Sequence, residues 1–253
     1  MRYIIILAII GATAYFIFFR KKEQTVASPE AIVKTVNTNP LRGIFWQDMS
    51  GSIEQNGVDV INAETDFKPL FQASYQRPVE IDFGLIVEQS NKTLISLELL
   101  PPKFKQPLQP VRSGVSKIIF DNQVKEYGKR LAKYHTDSVI YFTKRNADSS
   151  SFINAVAKAI KNHKNARSTD FNICLDNTDR ILNDRAGFFK ENYAVFISDG
   201  INTNSNKLFE MKNKPVMIMV NRIAKGKQIK AVYDLMDYQL ASVPEAINLI
   251  TQN

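Results

Sequence analysis

The sequence predicts an α/β fold: an open, mostly parallel sheet with one antiparallel edge strand and helices on both faces. Three observations predict it. Short apolar runs alternate along the chain with segments whose apolar residues recur at helical spacing, the order expected of parallel strands joined by helices. Val79–Val87 sets Val79, Ile81, Phe83, Leu85 and Val87 on alternate positions; after a turn at Ser90-Asn91 comes a second strand, Thr93–Leu100. Such a pair makes an antiparallel hairpin at one edge. Finally, Ile44–Gln47 and Tyr193–Ser198 read as buried strands, and each runs directly into an aspartate, Asp48 or Asp199.

The elements follow in chain order. Tyr3–Phe19 (YIIILAIIGATAYFIFF) is uncharged and is followed at once by Arg20-Lys21-Lys22. Its length is near the lower limit of about 17–25 residues for a membrane-spanning helix. A cleavable signal peptide is the competing reading, with a weak site at Val26-Ala27-Ser28. The charges directly after the run argue against it. Arg20, Lys21, Lys22 and Lys34 follow the span while only Arg2 and the terminal amine precede it, so the positive-inside rule places the body of a single-pass protein in the cytoplasm. Residues 1–22 are thus an expected anchor, 23–40 a polar tether with Pro29 and Pro40, and 41–253 the folded domain.

Within that domain, Gly43–Gln47 is a strand. Asp66–Tyr75 (DFKPLFQASY) is a helix with Phe67, Leu70 and Phe71 on one side. Pro101-Pro102 through Gly114 is a proline-rich connection without apolar periodicity, expected to wrap the surface within an insertion around 101–167. Val115–Tyr134 and Ser149–Ile160 are predicted as separate helices, the second with a serine cap. Asp137–Thr143 between them is undecided between helix and strand. Asp170–Leu182 is a helix with Phe171, Cys174, Leu175, Thr178, Ile181 and Leu182 on one stripe. Lys214–Val220 is a strand, Gly226–Met236 a helix, Tyr238–Ala241 a short strand, and Pro244–Gln252 a last helix started by Ser242. The arrangement is Rossmann-like.

Composition narrows function. At 253 residues, 44% apolar and 23% charged, the chain is an ordinary globular protein. Cys174 is the only cysteine, which excludes an intrachain disulfide and any cysteine-built zinc site. His135 and His163, the only histidines, lie among lysines on expected surface. The net charge of +8 calls for an anionic neighbour, most simply the inner leaflet of the membrane that holds the anchor. Asn91-Lys92-Thr93 matches a glycosylation sequon, irrelevant for a cytoplasmic domain.

Ligands of open α/β sheets bind beyond the carboxyl ends of the strands, where strand order reverses. Asp48, Ser50 and Ser52 sit on alternate positions of the turn that leaves the first strand, "IFWQDMSGSIEQN". Their oxygens can converge on one point, and a hard divalent cation such as magnesium takes oxygen ligands. Taken alone, the pattern also fits a capped turn. With a preceding strand and a second strand ending Ser198-Asp199-Gly200, it resembles the metal-ion-dependent adhesion site of von Willebrand factor type A (VWA) domains. That family adds a threonine before a helix, matched here by Thr169 in "RSTDFNICLDNTDRIL", and a strand-end aspartate, matched by Asp199 thirty positions later. Thr143 and Ser149–Ser151 compete for the threonine place. Asp170 reads either as a helix-end carboxylate or as a support for the site.

The resemblance implies that Asp48, Ser50, Ser52, Thr169 and Asp199 hold Mg2+, or Mn2+, and that a carboxylate of a partner protein displaces a bound water. It implies a binding module rather than an enzyme. The alternatives are a Mg2+-dependent hydrolase of the haloacid-dehalogenase kind and a basic nucleic-acid-binding domain. The first needs a second aspartate where Ser50 stands, so proton delivery to a leaving group has no candidate. The second rests on charge alone.

Overall fold

The computed structural model describes residues 38–51, 59–88, 94–163, 166, 169–199, 209–220 and 239–252. The chain divides into two units, Met1–Val36 and Asn37–Asn253. The apolar run Tyr3–Phe19, Ser52, the hairpin turn with its sequon and the predicted helix Gly226–Met236 lie outside the described residues. Among the described residues no helix is long and apolar enough to cross a membrane.

Six strands form one sheet: β1 (Leu41–Asp48), β2 (Val79–Ile86), β3 (Ile95–Leu99), β4 (Glu191–Ile197), β5 (Val216–Val220) and β6 (Gln239–Ala241). Their order is β3-β2-β1-β4-β5-β6. All neighbours are parallel except β2 and β3, the expected antiparallel edge pair. Every residue of β1 is buried, as befits a central strand covered on both faces. After β1 the chain steps to β2 on one side, while β4 closes on β1 from the other. The reversal of strand order therefore falls between β1 and β4.

Strand side chains alternate between two cores. On one face Leu41, Phe45, Ile81, Phe83, Val195 and Ile218 pack beneath α1 (Ala63–Asp66), α2 (Lys68–Ala73), the inner end of α3 (Lys117–Asn162) and α5 (Val243–Gln252). Phe67, between α1 and α2, is fully buried, edge-on to Phe45 at 5.2 Å and to Phe152 of α3 at 5.4 Å. It joins two helices to the sheet, and Phe67→Ala is the kind of truncation that costs about 3–5 kcal/mol. On the other face Ile44, Trp46, Phe196 and Met219 pack under α4 (Phe171–Asn183) through Phe171, Cys174 and Leu175. Trp46 donates its indole N–H to Thr178 Oγ1 at 2.9 Å. Its ring lies over Gly84 on the neighbouring strand, where any Cβ would overlap it.

Local signals set the helix starts. Asn62 caps α1, Asp170 caps α4 through Asn172 and Ile173 N–H, and Ser242 and Glu245 cap each other at α5. The helix predicted over Asp66–Tyr75 is shorter and is preceded by its own cap-led turn.

The insertion differs most from expectation. The two predicted helices and the undecided segment are one continuous helix of 46 residues, α3. Asp137–Thr143 stays helical because its Tyr141 continues the stripe of Phe120, Tyr127, Leu131 and Tyr134, and no proline interrupts it. Ser149 is therefore mid-helix, and the cap is Ser116. The connection 101–116 meets this helix. Its Phe104 packs edge-on against Tyr134 and Tyr141 at 5.7 and 5.5 Å, and Tyr141 Oη donates to Leu100 O at 2.8 Å. From there this strap returns to the start of α3 at Lys117, about 36 Å along the helix axis from Tyr141. Strap and helix together make an arm. Its root is Arg145, buried, stacked 4.0 Å from the Tyr75 ring centroid, and donating to Ser74 Oγ and Phe71 O at the end of α2.

Candidate metal site at the sheet rim

β1 and β4 deliver Asp48 and Ser198-Asp199 to the same rim, because the two strands are parallel and in register, Gln47 opposite Ile197. Asp48, Ser198 and Asp199 are all buried. Ser198 Oγ donates to Asp48 Oδ2 at 2.6 Å, and Ser50 N–H donates to Asp48 Oδ1 at 2.8 Å. Both oxygens of one carboxylate are thus held, which fixes its orientation. Gln47 supports the turn. Its Nε2 donates to the Asp48 and Asp59 carbonyls, and its Oε1 accepts from Ile61 N–H.

The approach to α4 runs alongside. Ala166 N–H donates to Met49 O at 2.8 Å, and Ser50 and Ala166 form an isolated parallel bridge. Thr169 lies three residues further on and is buried, immediately before the Asp170 cap. Asp170 therefore has a definite job as the helix N-cap. Thr143 and Ser149–Ser151 are carried inside α3, not in the segment that bridges to Ser50. The geometry brings Asp48, Ser50 and Asp199 together, with the Thr169 segment beside them; Ser52 lies outside the described residues.

The surroundings of Asp48 disfavour its charged form. Burial raises its pKa above the ordinary carboxylate range, and the charge of Asp199 raises it further. The hydrogen bonds from Ser198 and Ser50 oppose that shift without cancelling it. Among the described residues no cation pairs with Asp48.

No family model matches the sequence, and no curated protein matches it. Two structures of the pilus adhesin SpaC from Lactobacillus rhamnosus GG superimpose on the chain. One is an open conformation at a TM-score of 0.45, the other another form at 0.42, both at 12% identity. The match covers 86% of this chain but 30% of the adhesin. At that score and identity the likeness assigns nothing about the site.

The donor set fits a hard divalent cation. Asp48 and Asp199 offer two buried carboxylates close enough to repel, and Ser50 and Thr169 add hydroxyl oxygens. Among the described residues there is no group of three or more histidine, cysteine or carboxylate side chains that could hold a metal ion. A cation here would take hydroxyls and waters beside the two acids. Sequence reasoning missed Ser198 and Gln47, which hold the site rather than line it. Ser198 was legible only as part of the Ser198-Asp199-Gly200 strand end, and Gln47 only by its place immediately before Asp48.

Proposed function

We propose that the chain is a membrane-anchored binding module of the VWA type, with a Mg2+ site at the sheet rim that captures an aspartate or glutamate carboxylate of a partner protein. The observation that carries the reading is Asp48, buried and clamped by Ser198 and Ser50 beside Asp199, at the reversal of strand order. Two carboxylates brought together in a buried place repel, and a divalent cation is the simplest group that offsets both charges.

Asp48, Ser50, Ser52, Thr169 and Asp199 would hold the ion, Mg2+ or Mn2+. When bound, it supplies positive charge and an exchangeable position for the incoming carboxylate. The protein's own residues do the rest. Ser198 and the Ser50 amide orient Asp48, Gln47 holds the loop that follows, and the Asp170 cap starts α4 directly after Thr169.

Binding rather than catalysis suits these residues. Ser50 stands where a second acid would be required, and His135 and His163 are exposed on the long helix and just past its end. The test is calorimetric titration of the full chain in detergent with MgCl2 or MnCl2. Saturable binding is expected, tightened by a glutamate-containing peptide and lost in Asp48→Ala and Asp199→Ala. A folded parent that binds neither metal, with or without peptide, would sink the reading.

A further inference from the structure

The arm carries almost all of the chain's excess charge. Residues 101–144 contain nine lysines and arginines against three acids, net +6 of the chain's +8. All nine cations are exposed. The three most exposed large apolar side chains among the described residues also belong to the arm: Leu108 at 89%, Val111 at 77% and Ile118 at 76%. At the tip the strap turns into α3 through Gly114, whose φ of +72° suits a residue without Cβ. The Ser116 cap then opens the helix. This turn sets Val111 just before, and Ile118 and Ile119 just after, the reversal of the chain. Arg112 and Lys117 flank them.

Aliphatic side chains held in water at the start of a long helix, flanked by Arg112 and Lys117, match one partner chemistry. We infer that the tip of the arm docks into an anionic lipid bilayer, with Val111, Ile118 and Ile119 entering the headgroup boundary and Arg112 and Lys117 meeting lipid phosphates. Interfacial segments of this kind bury their apolar side about 5–10 Å deep and gain affinity from both terms. The lysines further along α3 draw the arm toward the negative surface. A nucleic acid would use the cations equally well but gives no environment to exposed Val111, Ile118 and Ile119, and no residue from Val111 to Ile119 is an aromatic on which a base could stack. The inference rests on the membrane-anchored part of the reading above, and it gives that anchored domain a second, reversible contact with the same membrane.

The test uses the full chain reconstituted into nanodiscs of neutral phosphatidylcholine, or of the same lipid with anionic phosphatidylglycerol, each doped with nitroxide-labelled lipid. A fluorophore is placed at Ile118→Cys or, as control, at Ile140→Cys, in a Cys174→Ala background, since the native cysteine is buried. Ile140 is exposed but about 33 Å further along the helix. Expected are quenching at position 118 in anionic discs, little in neutral ones, and none at position 140. Arg112→Glu with Lys117→Glu, both exposed positions, should lower that quenching roughly tenfold with an unchanged circular dichroism spectrum.

No quenching at position 118 in discs that carry the chain would overturn the inference. So would equal quenching at position 140, indifference to lipid charge, or a fluorescence response to a DNA duplex in place of lipid. A chain that does not enter the discs fails the anchor reading instead. Anionic vesicles added to the same labelled chain then decide the tip: quenching at 118 sustains it, and none overturns it.

Discussion

Two buried acidic clusters lie at opposite ends of the central strand, and they neutralise charge differently. At the start of β1, Arg42 is buried against Glu80, 3.0 Å away, and donates to the Ile181 and Asp184 carbonyls at the end of α4. Asp82 accepts from Ser96 at 2.5 Å, and Arg185 reaches Glu80 and Glu98. That cluster contains its own cations. At the end of β1, Asp48 is met by a hydroxyl, an amide and another acid. The contrast separates a structural knot from the proposed cation site. In the knot a guanidinium lies beside the buried carboxylates, whereas Asp48 at the rim is held in position with no cation paired to it among the described residues.

Breaking the knot should have the largest effect on stability. Arg42→Met strands Glu80 and Asp82 without their buried cation and frees two carbonyls at the end of α4. Loss of one partner of such a pair costs about 3–5 kcal/mol, measurable by urea denaturation. Adding Asp82→Asn should recover part of that loss. Recovery of none would mean that the cost is packing against Phe189, over whose ring Arg42 lies at 4.1 Å. At the rim, Ser198→Ala removes the donor to Asp48 Oδ2 and leaves a buried acceptor bare, for about 1–3 kcal/mol. A smaller loss than Arg42→Met is expected in the same assay.

The knot also has a pH signature. Burial first, then the charge of Asp82, pushes Glu80 up to about 7, against the pull of Arg42 and Arg185. The native state therefore keeps a proton on Glu80 up to about 7, while an ordinary glutamate loses it near 4.5. Between those values the native form binds more protons than the unfolded form, so this contribution to stability is complete below the window and is lost as pH rises through it. Glu80→Gln should flatten the slope of stability across that window. The smallest effect belongs to Arg185→Ala. Arg185 is exposed, and its pairs with Glu80 and Glu98 should be worth at most about 1 kcal/mol, so a loss as large as that of Arg42→Met would erase the distinction between the two arginines.

Much of this was legible in the chain, for identifiable reasons. β2 announces itself through Val79, Ile81, Phe83 and Leu85 on alternate positions, and β1 and β4 through short apolar runs that end in Asp48 and Asp199. Asp170 and Ser242 mark helix starts because a cap is a local bond between near neighbours. The arm was not legible. Its helix has an apolar stripe diluted by lysines, and Asp137–Thr143 alone satisfies two periodicities. Only the packing of Phe104 on Tyr134 and Tyr141, and of Arg145 on Tyr75, decides its path, and those contacts join residues far apart in sequence. The Arg42 knot stayed hidden for the same reason. Its members come from three strands and a turn, and none stands out as part of a motif.

Under the proposed function the rim, and not the knot, takes a divalent cation. The most direct test follows the thermal midpoint of the parent, Asp48→Asn and Glu80→Gln as MgCl2 is raised. A ligand at a hundred times its Kd stabilises the native state by about 2.7 kcal/mol, so the parent and Glu80→Gln should both gain several degrees while Asp48→Asn gains none. Equal gains in all three proteins, or none in the parent, would contradict the account.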